Sequence, residues 1–375
     1  MKSVSKYKVD IAILICLILF SIISVVTIGS AETLLVENSH LILKQTLWYT
    51  AGFILILVIM FIGNNLIYKN GWRLYILFTI LLLLVLFFGT PINNSKCWFK
   101  IPGIGNFQPS EFMKIILIIV LGNMINNFKE KYNNPTVKDE FIFLLKVLIV
   151  VLIPSLLTFL EPDTGVVLIY LLITFIMLFI SGIRYRWFII IFGLFGLIIG
   201  TILITYFLNT DLFIKIFGSS FFLRVDRLLD WSSGSGYQLE NGITSIGSGG
   251  LLGYGINKTP IYFPEPQTDF IFAVFANNFG FFGSLMLILL ITFFDLRLIK
   301  LAVESPSNKN KYIMSGIIGM LIYQQLQNIG MTLGIMPITG ITLPFISYGG
   351  SSLLSYMIIM GIILNISNEN IRYRN

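Results

Sequence analysis

About ten long apolar runs decide what this chain of 375 residues can become. They cover approximately 9–29, 47–63, 74–91, 111–126, 141–160, 166–181, 187–208, 270–294, 312–334 and 351–367. Crossing ~30 Å of hydrocarbon takes roughly 20 residues of helix, fewer where the ends are polar. Lipid offers the backbone no hydrogen bonds, so runs of this length must close their own bonds as helices. Composition agrees, with 56% hydrophobic and 11% charged residues. The expected fold is an all-α membrane protein, one polytopic unit over 1–375 with about ten transmembrane helices. One long outer loop at about 209–269 and a re-entrant segment before the last span complete it.

Lysine and arginine set the expected orientation. If the N-terminus is cytoplasmic, the inner segments hold Lys2, Lys6, Lys8, Lys69, Arg73, Lys129, Lys131, Lys138, Arg184, Arg186, Arg297, Lys300, Lys309, Lys311, Arg372 and Arg374. The outer segments hold fewer: Lys44, Lys96, Lys100, Lys215, Arg224, Arg227 and Lys258. Both termini are then inside and the long loop faces out. Membrane insertion accounts for the net charge of +7, which calls for no nucleic-acid partner. The first span is read as retained rather than as a cleaved signal, because its apolar run exceeds a typical signal core. Cys16 falls mid-span and Cys97 outside, an unfavourable pair for a disulfide, and the lone His40 has no metal-ligand cluster around it. No organic cofactor is expected.

Three strings and one carboxylate carry possible chemistry. Asp269 closes the polar run Pro264–Asp269, immediately before the apolar stretch from Phe270. A carboxylate at such a boundary keeps water access while partial desolvation raises its pKa, which suits a general base. In Gln108–Lys114, Pro109 and Ser110 start a helix, Glu111 sits in its first turn, and Lys114 follows on the same face. Charges inside a span are costly, so the pair is either a structural ion pair or an anchor for a diphosphate or sugar carboxylate. The glycine-dense run Ile246–Gly255 lacks the Gly-Lys-Ser/Thr of a phosphate loop. It can turn amides toward an anion or pack closely under a neighbour, but read alone it is a flexible surface loop. Pro337–Ser352 is apolar yet broken by Pro and Gly, either a re-entrant segment or a plain hairpin. Asp163 divides between an N-cap and a site role, and Asp295 and Arg297 read as solvated span ends.

In order along the chain, Trp98–Lys114, Ile246–Gly255, Pro264–Val274 and Asn328–Ser352 resemble the SEDS family (shape, elongation, division and sporulation), the RodA/FtsW/SpoVE peptidoglycan polymerases. The wording of Asn328–Gly340 is more similar to the RodA elongation branch. The resemblance implies an inverting glycosyltransferase of the bacterial cytoplasmic membrane, joining lipid II disaccharides into β-1,4 glycan at the outer face. It implies a class B penicillin-binding protein and other elongation proteins as partners, and allows a divalent cation, Mg or Mn. Asp269 falls on the family's essential aspartate, and Glu111 and Lys114 on its functional pair. The expected substrate-binding set is Lys114, Glu111, Gln108, Ser110, Glu265, Thr268, Ser347, Tyr348 and Ser351. The chain departs from the family pattern at Gln267, Asn277, Asn278, Asn241, Gly242 and Cys97. Three alternatives stay open: a lipid II flippase or transporter, an idle scaffold, and a division- or sporulation-specific polymerase.

Overall fold

The computed structural model describes residues 8–35, 40–92, 95–102, 105–219, 221–222, 225 and 236–374. Lys2, Lys6, Arg224 and Arg227, used in the charge argument, lie outside them.

The apolar runs form α1 (Ile11–Glu32), α2 (Leu41–Ile62), α4 (Gly71–Phe88), α5 (Pro109–Lys131), α6 (Val137–Leu160), α7 (Thr164–Ile180), α8 (Tyr185–Leu208), α11 (Ile271–Val303), α12 (Asn308–Thr332) and α13 (Gly350–Arg374). Short helices α3 (Asn64–Lys69), α9 (Thr210–Phe217) and α10 (Tyr237–Ser248) lie between them. Among the described residues eight helices are long and apolar enough to cross a membrane. Of the other two expected spans, α7 is apolar but has only 17 residues. The second, α12, carries Gln324, Gln325, Gln327 and Asn328, all buried. Its polar side chains face protein rather than lipid, which lowers its hydropathy without exposing them.

Helix starts follow the side chains available. Asp10 caps α1, Thr136 and Asp139 form a reciprocal capping box on α6, and Ser307 caps α12. At the centre, α5 is buried along nearly its whole length, whereas α8 buries only Phe188 and presents its apolar surface outward. Of the two residues expected to be solvated span ends, Asp295 is instead buried and accepts from Gln325 Nε2 at 3.3 Å, while Arg297 stays partly exposed and pairs with Asp10 at 2.6 Å. That pair ties α11 to the start of α1.

The connection ahead of α5 contains three short strands that periodicity did not reveal: β1 (Thr90–Ile92), β2 (Ser95–Ile101) and β3 (Gly105–Phe107), antiparallel in that order. The loop expected at about 209–269 is also not structureless, since it holds α9 and α10.

The glycine run is not a free surface loop. Gly280 breaks α11 with φ 65° and ψ −162°, and the freed backbone groups are taken up by residues 250–255. Phe281 N–H donates to Gly250 O at 2.9 Å and Phe282 N–H to Leu251 O at 3.2 Å. In return Tyr254 and Gly255 N–H donate to Asn277 O and Asn278 O, each at 3.0 Å. A Cβ on Gly253 would lie 2.2 Å from Asn278 O, so only glycine permits this approach.

Residues 333–349 run without helix from α12 to α13. Several of their backbone groups are bonded within the protein. Ile346 O accepts from Ser24 Oγ at 2.7 Å and Phe345 O from the Tyr49 hydroxyl. The Phe345 ring stacks on Phe20 at 5.7 Å and meets Phe294 edge-on at 5.7 Å.

Candidate active site

Hydrogen bonds from Gln108 to Asp163 and Ser351, and from Ser347 to Thr268, bring Gln108–Lys114, Glu161–Asp163, Glu265–Asp269 and Gly340–Ser351 together at one end of the bundle. At the opposite end a polar cavity of about 470 Å³ is lined by residues including Asn65, Asn126, Lys129, Lys309 and Glu369.

At the entry of α5, Pro109 fixes the first helical position and Glu111 sits in the first turn, where the helix dipole favours a carboxylate. Three residues on, Lys114 is fully buried, pairs with Glu111 Oε2 at 2.8 Å, and lies 5.5 Å from the centre of the Tyr356 ring. The Tyr356 hydroxyl accepts from Gln324 Nε2 at 2.9 Å. Ser110 is buried and its carbonyl accepts from the Tyr170 hydroxyl at 3.0 Å.

Gln108 joins three elements. Its backbone N–H donates to Ser351 Oγ at 2.9 Å, and Ser351 Oγ donates to Asn106 O at 3.0 Å. Its side-chain Nε2 donates to Asp163 Oδ2 at 2.9 Å, while Asp163 Oδ1 caps α7 through Val166 N–H at 3.1 Å. Of the two roles the sequence left open for Asp163, the structure shows the cap, and its other oxygen ties α7 to Gln108. Burial pushes its carboxyl up to about 6, with Glu111 raising it and Lys114 lowering it.

Asp269 stands in the turn before α11, half-buried. Asn328 Nδ2 donates at 2.8 Å to both Asp269 O and Ile341 O, fastening this turn to the non-helical segment. Gly340, at φ 71°, leaves the space beside the carboxylate open: a Cβ there would lie 3.6 Å from Asp269 Oδ2. Burial first, then Glu265, then Asp163 push Asp269 up to about 7. A carboxyl poised there is divided between its two forms near neutrality, the condition for a base at that pH.

Other expected ligands are engaged in building the turn. Glu265 Oε2 accepts from Thr268 Oγ1 at 2.8 Å and from Gln267 Nε2 at 3.2 Å. Ser347 Oγ donates to Thr268 O at 2.6 Å and accepts from Leu343 N–H at 2.8 Å, and Tyr348 N–H donates to Gln267 O at 2.8 Å. The departures from the family pattern are likewise used structurally. Asn277 Nδ2 donates to Ser245 O at 2.8 Å, Asn278 Oδ1 accepts from Thr259 at 3.0 Å, and Cys97 Sγ donates to Glu161 O at 2.9 Å. Gly242 lies under the Phe270 ring, next to Asp269. Among the described residues no three His, Cys, Asp or Glu side chains are placed to hold a metal ion.

Tyr170, Gln324 and Tyr356 border the site without having stood out in the sequence. Nothing separates them there from other polar or aromatic residues in spans.

Fold and site together define a polytopic helical membrane protein with a carboxylate–lysine cluster at one end. The profile of the FtsW/RodA/SpoVE family, described as cell cycle protein, matches residues 7–372, and the chain belongs to that family. It is 33% identical to stage V sporulation protein E of Bacillus subtilis (strain 168), over 96% of this chain and 98% of that protein. It is 32% identical to a probable peptidoglycan glycosyltransferase FtsW of Buchnera aphidicola subsp. Baizongia pistaciae (strain Bp), over 98% of this chain and 95% of that protein. Among solved structures it is similar to the Thermus thermophilus rod shape determining protein RodA, with TM-score 0.70 and 26% identity over 99% of both chains. A chain from a study of the coordination of polymerization and crosslinking by a peptidoglycan synthase complex matches with TM-score 0.79 and 27% identity, over 97% of this chain and 99% of that one. These sequence relatives bear the SpoVE and FtsW names, so the similarity does not single out the RodA elongation branch.

Proposed function

We propose that this chain is a peptidoglycan glycosyltransferase that polymerises lipid II at the outer face of the cytoplasmic membrane. The observation that carries the reading is the meeting of Asp269 with Asp163, Glu111 and Lys114 at one end of the bundle. Three separate stretches of chain contribute these residues. Relatives named as peptidoglycan glycosyltransferases support it.

In the proposed step Asp269 accepts the proton of the acceptor's 4-hydroxyl. The acceptor oxygen forms a bond to the donor's anomeric carbon from the face opposite the diphosphate. The bond from that carbon to the diphosphate oxygen breaks, and the electron pair leaves with the diphosphate, giving inversion. Lys114 offsets the charge on that leaving group, and Glu111 holds Lys114 in place. Diphosphate departs without protonation, so no second acid is needed, and the lipid tail stays beside the spans. A divalent cation, Mg or Mn, carried in on the donor diphosphate would add to the charge compensation that Lys114 supplies. Both termini would then be cytoplasmic. A class B penicillin-binding protein is the proposed partner, in keeping with the synthase complex among the structural neighbours. The candidate charges gather at one end rather than along a path through the bundle, which favours chemistry over a flippase.

The test is purified protein with its transpeptidase partner and labelled lipid II, with products resolved by size. Long glycan is expected, and the absence of any polymer under all partner conditions overturns the reading.

A further inference from the structure

Glu161 is a buried carboxyl that the proposed mechanism does not use. It closes α6 in the turn to α7, fully shielded from solvent. Neither carboxyl oxygen has a hydrogen-bond partner among the described residues, and no described cation pairs with it. Its surroundings come from several elements. Cys97 of β2 donates to its carbonyl, Asp163 lies two residues on, and Tyr170 of α7 feels Glu161, Asp163 and Glu111 together. Lys114 of α5 is committed to Glu111. A bare anion in such a place would bear the full cost of desolvation with nothing to offset it. The acid form carries no such charge, and its O–H is a donor.

We propose that Glu161 is a positioning residue of the site, held as a neutral carboxylic acid so that Asp163 can ionise and the cluster can accept an anionic diphosphate. Glu161 touches no substrate. It acts through Asp163, whose oxygens hold Gln108 and the start of α7. Burial and the neighbouring Asp163 push its carboxyl up to about 9. Above that pH a second negative charge would stand beside Asp163 and face the diphosphate. This rests on the diphosphate reading above.

Three measurements separate the outcomes. Infrared spectra of the full-length protein should show a protonated-carboxyl band that survives neutral pH, fades through about 9 and is lost in Glu161→Gln. A spectrum at neutral pH with no band that Glu161→Gln removes overturns the proposal. The thermal midpoint gives a second reading. Above about 7, where Asp163 and Asp269 have ionised, and up to about 9, the unfolded chain binds fewer protons than the native one at Glu161, so wild-type stability falls as pH rises there. Glu161→Gln should lose that fall, and an unchanged pH slope overturns the proposal. Third, binding of a short polyprenyl diphosphate should weaken in wild type above about 9 and keep its affinity in Glu161→Gln. The same alkaline weakening in both overturns the positioning role. A diphosphate that binds neither protein at any pH, with the infrared band present, counts instead against the functional reading.

Discussion

At the residue scale the account turns on charges that low-dielectric surroundings make expensive. Asp269 works only as its carboxylate, and its carboxyl is pushed up to about 7. Polymerisation rate should therefore rise with pH through that value, and a rate flat across it would exclude Asp269 as the base. Lys114 and Glu111 raise a second question, since a fully buried pair can serve structure as well as ligand. Removing one partner of such a pair costs about 3–5 kcal/mol, because it strands the other charge, whereas removing both can be close to neutral. Glu111→Gln/Lys114→Met should consequently regain much of the stability lost by either single change while staying inactive. Recovered activity in the double variant would assign the pair to structure alone. Much of this site was legible in the sequence, because an aspartate, a glutamate and a lysine beside apolar helix stand out by their cost. Asp163 was ambiguous for a physical reason: one carboxylate can cap a helix with one oxygen and line a site with the other. Tyr170 and Tyr356 were invisible, since a span's sequence does not say which side of the helix meets protein.

At the element scale the glycine run and the break in α11 form one device. Opening the helix at Gly280 frees backbone donors and acceptors that hydrocarbon cannot satisfy, and residues 250–255 satisfy them. The arrangement fixes both sides of the break, including the stretch Ile271–Asn278 that follows directly on Asp269. Gly253→Ala places a Cβ against Asn278 O at a residue with φ 79°. It should cost roughly 1–3 kcal/mol of stability, read as a lowered thermal midpoint in detergent or nanodiscs, together with reduced activity. A variant as stable as wild type would mean that the loop is not held as described. The sequence showed the glycines but not their partner. The pairing spans two stretches of chain, and in isolation the run carries only the signature of a loop. The three strands before α5 escaped notice for a similar reason, being short and irregular beside the strong helical runs.

At the scale of the whole molecule, the order of the long helices was readable because a span takes roughly 20 residues of apolar chain, but among the described residues eight helices, not ten, are long and apolar enough to cross a membrane. Where that reading weakened, at α12, the polar residues were turned into the protein. Orientation is the whole-molecule prediction. With Cys16 and Cys97 changed to Ser, Thr268→Cys should react with an impermeant thiol reagent added to cells freed of outer wall. Lys309→Cys, at the opposite end of the bundle, should react only after the membrane is opened. The reverse pattern would put Asp269 in the wrong compartment for its proposed substrate. The most direct test of the account is glycan synthesis from labelled lipid II by wild type and Asp269→Asn, both purified with the partner and matched in thermal midpoint. The amide keeps the shape but cannot take the proton, so the account predicts long glycan from wild type and a loss of about 10²–10⁴-fold or more in the variant. A folded Asp269→Asn protein that still makes long glycan at the wild-type rate would contradict it.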